Sequence, residues 1–145
     1  MSLYENLDTE TFISGANLNG ALYSLLKLDA NGDVILSAAA TDFSVGLLAH
    51  DPKRSQFDTD ATTGDAVTVA KLKGKVPLKA GVGGVTAGQY VVAAAGGTIV
   101  DAAGSAAGGP ASAVTGKTWV IGIAMKTAVA GEVVTVLAQP FLSGT

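Results

Sequence analysis

The residues of this chain able to do chemistry are few, and their spacing argues against a reaction centre. His50 is the single histidine and stands beside Asp51. A hydrolytic triad needs a nucleophile on a constrained turn, and no Gly-x-Ser-x-Gly is present. A catalytic zinc normally takes three protein ligands, which one histidine and no cysteine do not readily supply. Asp29-Ala-Asn-Gly-Asp33 opens like a calcium loop. The turn glycine at its sixth position would be Val34 and the closing carboxylate Ala40, so a hairpin is the better reading. Gly83 and Gly88 have the spacing of a phosphate loop, but Gln89 stands where the lysine belongs and a strand follows. Gly81-Val-Gly83 is likewise a fragment of a dinucleotide fingerprint outside its βα setting.

Two lysine features remain. Ala124-Met125-Lys126 resembles the modified-lysine hairpin of biotin and lipoyl carriers. Ile123 replaces the preceding acid, Thr127 replaces the second methionine, and only 19 residues follow Lys126. Lys71, Lys73, Lys75 and Lys79 share a parity and line one face of an extended segment. Without interleaved aromatics they do not suit base stacking, and protection of a sheet edge fits them better. The residues therefore predict no enzyme, no cofactor and no metal site.

The elements that would position these residues are strands, and they come in two sets. Phe43-Ser-Val-Gly-Leu-Leu48 followed by Gly64-Asp-Ala-Val-Thr-Val69 returns as Trp119-Val-Ile-Gly-Ile-Ala124 followed by Gly131-Glu-Val-Val-Thr-Val136. Leu22-Tyr-Ser-Leu-Leu26 precedes the first set and Gln89-Tyr-Val-Val-Ala93 the second. The tyrosines and the later glycines are each 67 residues apart, but Gly46 and Gly122 are 76 apart. Insertions at different corners of a duplicated unit account for the difference, at 104–113 in one copy and 50–60 in the other.

Asn31-Gly32 between two apolar runs predicts a hairpin, as does Gly96-Gly97. The segment 65–76 starts with an apolar face that becomes lysine-rich, which predicts a bulge or bend near Ala70 or Lys71. Pro77 should end this segment or place it at an edge. Pro140 should follow the last good strand, 133–138. No convincing amphipathic helix is present, and residues 13–26 could form one helical turn at most. The expectation is an all-β domain at 21–145: a small antiparallel β-barrel or tulip-like sandwich of two quasi-repeated halves, approximately 22–78 and 89–140. An extended N-terminal arm, 1–20, precedes it.

Composition narrows the partners. The 48% hydrophobic content is largely small side chains, with 25 Ala and 19 Gly among 145 residues, and no apolar run is long enough for a membrane span. The opening residues lack the pattern of a signal peptide. The absence of cysteine fits assembly in a reducing compartment. Residues 1–26 hold Glu5, Asp8 and Glu10 and no base, whereas the remainder balances nine acids with nine bases. A neutral body disfavours nucleic-acid binding. The acidic arm suits either solvation or a basic groove on a protein partner. Its apolar residues Leu3, Tyr4, Leu7, Phe12 and Ile13 favour an arm that becomes ordered against something.

One family resemblance covers about residues 40–140. Gly64-Asp-Ala-Val-Thr-Val-Ala-Lys-Leu-Lys-Gly-Lys-Val-Pro-Leu78 is followed by Val85-Thr-Ala-Gly-Gln-Tyr90 and its Val/Ala-rich continuation to Val100. With Trp119–Met125 and Gly131–Leu137, this order resembles the capsid decoration, or cement, proteins of tailed bacteriophages. The resemblance implies a trimer on the outer capsid surface, made in the host cytoplasm, that binds the major capsid protein and stabilises the expanded head. Leu3, Tyr4, Leu7, Phe12 and Ile13 would then be the capsid-binding anchors. The alternative is a generic ligand- or glycan-binding β-module on a virion or cell surface, although such modules normally gather several aromatics near their loops.

Overall fold

Short β-branched and apolar runs separated by glycine turns leave the backbone few choices other than strands. The computed structural model describes residues 7–18, 20–50, 63–102 and 118–143. Among them are ten strands: β1 (Thr9–Ile13), β2 (Leu25–Leu28), β3 (Val34–Leu36), β4 (Gly46–Leu48), β5 (Ala66–Ala70), β6 (Gly74–Lys79), β7 (Tyr90–Ala93), β8 (Ile99–Asp101), β9 (Thr118–Ala124) and β10 (Val133–Ser143). A single 3-10 turn at Ala95–Gly97 is the sole helical element among these residues, and no helix is long and apolar enough to cross a membrane.

The strands form two five-stranded antiparallel sheets, ordered β1-β5-β4-β2-β3 and β6-β10-β9-β7-β8. The two orders are one order applied twice. The fold is thus an all-β sandwich of repeated halves, not a closed barrel. Each sheet nevertheless curls strongly. Ser14, just past β1, bridges Val34 across the first sheet, and Ala80, just past β6, bridges Ile99 across the second. The repeat extends to single hydrogen bonds. The Ser14 N–H donates to the Asp65 carbonyl and the Ala80 N–H to that of Glu132, each at 2.8 Å. Gly15 N–H donates to Val34 at 2.8 Å and Gly81 N–H to Ile99 at 2.7 Å.

Gly46 and Gly122 show why the echo retains glycine in the middle strand. A side chain on Gly46 would collide with the Ala70 carbonyl, and one on Gly122 with the Leu137 carbonyl. Ala70 and Leu137 are themselves 67 residues apart, so this close approach is duplicated with the strands.

The expected hairpins are present. Gly32 at φ 82° turns β2 into β3, and the Asp29 carboxylate accepts the N–H groups of Asn31 and Asp33 at 2.8 and 3.0 Å. The 3-10 turn joins β7 to β8. The expected bend at Ala70–Lys71 is the crossing between sheets: β5 ends at Ala70 and β6 begins at Gly74, at φ 66°. β6 is an edge strand, where Pro77 removes no ladder donor from a central position. β10 departs from expectation by passing Pro140. A register shift between Ala138 and Phe141 accommodates the proline, and pairing with β9 resumes through Ser143.

The equivalence of the first hairpins also differs from the tyrosine echo. Leu25 lies opposite Leu47, and Tyr90 lies opposite Ile123. Because Leu47 and Ile123 are counterparts, the ladder makes Leu25, not Tyr23, the counterpart of Tyr90. Tyr23 instead sits at the junction of the halves with φ 65°, a conformation rare for a bulky residue. Its N–H donates to Leu48 at 2.9 Å and its carbonyl accepts from Lys79 at 3.0 Å.

The main core lies between the sheets and includes Leu25, Leu47 and Ala70 with Leu78, Val91, Ile121, Val134 and Val136. A second core fills the curl of the first sheet with Leu18, Leu26, Val34, Leu48, Val67 and Val69. The duplicated glycine contact predicts matched sensitivity. Gly46→Ala and Gly122→Ala should each cost about 1–3 kcal/mol, the range for overpacking a tight site. Thermal and urea unfolding would show it; an unchanged midpoint in either variant would contradict the close-approach role.

Candidate docking surfaces

The chemistry-bearing residues stay apart in space. Among the described residues no three His, Cys, Asp or Glu side chains gather as a metal-binding group. His50 is exposed just past β4, and its neighbour Asp51 lies outside the described residues. Gly83 and Gly88 adopt φ of 96° and 82° in turns ahead of β7. Lys126 is exposed between β9 and β10. Lys75 and Lys79 belong to the edge strand β6, and the Lys71 ammonium lies 3.9 Å from the Asp8 carboxylate.

The five arm residues divide. Leu3 and Tyr4 lie outside the described residues. Leu7 packs against the main core and Phe12 against the second core, so both are tied to their own domain. Ile13 points outward and is 44% exposed. The segment Thr9–Ile13 is extended, as a strand paired with β5 in register Thr9 to Ala70 through Ile13 to Ala66. Tertiary pairing orders a stretch whose own periodicity is weak. β1 ends the first sheet, so its outer backbone edge is geometrically suited to strand addition.

The β3–β4 loop is held by a polar clasp within the first half and reaches the second. Asp42 accepts from the Ala38 and Ala39 N–H groups at 2.8 and 3.0 Å and pairs with the Lys27 ammonium at 3.0 Å. Burial raises the energy of its charged form, but these hydrogen bonds and the lysine outweigh burial and hold its carboxyl below the ordinary 3.8. The loop it shapes carries Ala40, whose carbonyl accepts from the Trp119 N–H at 2.8 Å, and Phe43, whose ring meets Trp119 edge-on at 4.8 Å.

Two apolar surfaces were not singled out by the residue pattern. Val82 is 92% exposed at a glycine turn, close to exposed Val129 through the packing of Gly84 on the Ala128 carbonyl. On the outer face of the second sheet, Tyr90, Gly122, Ile123, Leu137, Gln139, Pro140 and Phe141 line a groove of about 330 Å³. Tyr90 and Phe141 meet edge-on there at 5.6 Å, and Leu137 is 46% exposed. The signal was present in the alternation of β10, whose odd positions Val133, Thr135 and Leu137 share one face. It is the sheet pairing that identifies this face as unpacked.

The fold is similar to that of the N base of head fiber gp8.5 from bacteriophage phi29, with a TM-score of 0.61 and 21% sequence identity. The likeness covers 92% of this chain and 94% of that chain, and at this identity it is a likeness of fold. No protein-family model matches the chain, and no curated protein matches it in sequence.

The clasp gives a pH-dependent expectation. A carboxyl whose folded pKa lies below its unfolded value stabilises the fold above that unfolded value, and loses the contribution as pH falls through the folded one. Asp42→Asn should therefore destabilise by about 1–2 kcal/mol at neutral pH, the scale of charge-assisted hydrogen bonds. The difference from wild type should shrink below pH 3.8. Urea unfolding across pH tests this, and a difference that stays constant into acid would contradict it.

Proposed function

We propose that this protein is a structural component of a bacteriophage head, attached to the outer surface of the shell, where it decorates and braces the expanded capsid. The observation that carries this reading is the likeness of fold to a phage head fiber base along nearly the whole of both chains. The resemblance of residues 40–140 to capsid decoration proteins points to the same setting. That neighbour is described as a fiber base, so bracing is the finer part of the proposal.

The mechanism is mass action. A protein that binds the expanded shell and not its precursor lowers the free energy of the expanded state at each occupied site. Each contact can be weak, because the shell repeats it many times. The partner is the major capsid protein, and the protein acts as a homotrimer on the virion. Leu3 and Tyr4, outward-facing Ile13 and the open edge of β1 are the proposed capsid contacts. Leu7 and Phe12 contribute indirectly by fixing β1 to its own domain.

This division determines the useful deletion. Removing residues 2–14 would also remove β1 and the Ser14 bridge, confusing attachment with folding. Removing residues 2–6 leaves both. The shortened protein should melt as wild type does but bind expanded heads at least about tenfold more weakly, a loss of about 1.4 kcal/mol. Co-sedimentation with expanded and unexpanded heads of the phage encoding it is the measurement. Failure of the full-length protein to bind expanded heads would overturn the function, and undiminished binding of the shortened protein would overturn the role of the arm.

A further inference from the structure

The duplicated ladders allow each half to be compared with the other residue by residue. In the first sheet Leu25, Leu47 and Ala70 lie side by side on β2, β4 and β5. Their counterparts in the second sheet are Tyr90, Ile123 and Leu137, side by side on β7, β9 and β10. The first trio is wholly buried in the main core. The second faces outward beside the groove, with Leu137 46% exposed. The same apolar row is therefore wholly buried in one half and only partly covered in the other.

What covers the first row is a different surface of the second half. Leu78, Ala93 and Ile99 share its core, the Lys79 N–H donates to Tyr23, and the Gly97 N–H donates to Ser37 at 2.7 Å. Gly97 also lies against the Leu25 carbonyl. The halves thus stack head to tail, outer face of one against the rim of the next, without a twofold relation. In the first half the counterparts of Leu78, Lys79, Ala93 and Gly97 are Phe12, Ile13, Leu28 and Gly32. Among the described residues this rim has no further half to cover. Accordingly Leu28 is 46% exposed where Ala93 is buried, and Ile13 is exposed where Lys79 is half-buried. The rim and the partly covered row also differ in charge. Asp29 and Asp33 flank the hairpin turn of the rim, while Lys75 lies directly opposite Leu137 on β6.

We infer that a second copy of this chain covers the Tyr90–Ile123–Leu137 row, seating on it the part of the rim that carries Leu28 and Gly32 and leaving Ile13, on β1, free for the capsid. The contact repeats between chains the packing already present within each chain. An interface made from two different surfaces leaves one of each free on every added copy, so it closes only by forming a ring. The inference rests on the proposed homo-oligomer and names the two surfaces that make it.

Light scattering coupled to size exclusion tests this on the full chain. Wild type should have a mass that is a multiple of 14.3 kDa. Leu137→Asp and Leu28→Asp should each run at 14.3 kDa, while Val129→Asp, on a surface outside the contact, should associate as wild type does. Each variant is first shown to be folded by circular dichroism. Mixing the two monomeric variants gives the decisive readout, because each retains the surface that the other has lost. A dimer should form from the mixture and from neither variant alone. A monomeric wild type, a Leu137→Asp variant of wild-type mass, or a mixture that stays monomeric would overturn the inference. Head binding is read separately. A monomeric wild type that binds heads would overturn the interface and leave the proposed function standing, whereas an associating wild type that ignores heads would do the reverse.

Discussion

The burial of Leu25, Leu47 and Ala70 against the second sheet is the contact on which the architecture depends. Without the second half, Leu25, Leu47 and Ala70 would face water on the convex side of the first sheet. Joining them removes two leucines from water, worth roughly 1.5–3 kcal/mol each. It also covers the rim of the second half, where Gly97 lies against the Leu25 carbonyl. The polar clasp of Asp42, the Trp119–Phe43 contact and the strained Tyr23 all lie around this junction. Their arrangement fixes the relative placement of the halves, which hydrophobic burial by itself would leave loose.

The glycines make that packing possible by letting strands approach closely where a side chain would intervene. Gly46 and Gly122 admit neighbouring carbonyls, and Gly97 admits the backbone of β2 across the junction. Other glycines, such as Gly32, Gly74 and Gly83, instead have open space around them and serve positive-φ turns. The high alanine and glycine content, which inflates the hydrophobic fraction, is in part a record of this geometry.

Much of the fold was legible because its signals are local. Asn31-Gly32 fixes a hairpin through positive φ, and the lysine parity after Val69 fixes a bend because one face cannot be both core and solvent. The bend's meaning was not legible, since passage from one sheet to the next is a long-range fact. The tyrosine echo misaligned the first hairpins by two residues: side-chain identity drifted while the ladder, anchored by Gly46 and Gly122, stayed in place. β1 carries no strand signal of its own because its partner β5 lies more than fifty residues away. Of the proposed capsid anchors, apolar type marked Leu7, Phe12 and Ile13, but only register separates the inward two from the outward one. The partly covered row on the second sheet became visible when its buried twin could be set beside it.

As proposed, the protein is a repeated brace that presents one surface to a phage shell and another to its own copies. Electron cryomicroscopy of virions of the proposed source phage tests this most directly. The account predicts density for this domain outside the shell, with copies meeting through the row of Tyr90, Ile123 and Leu137 and with the β1 end turned toward the capsid. A virion lacking the protein would contradict the central claim.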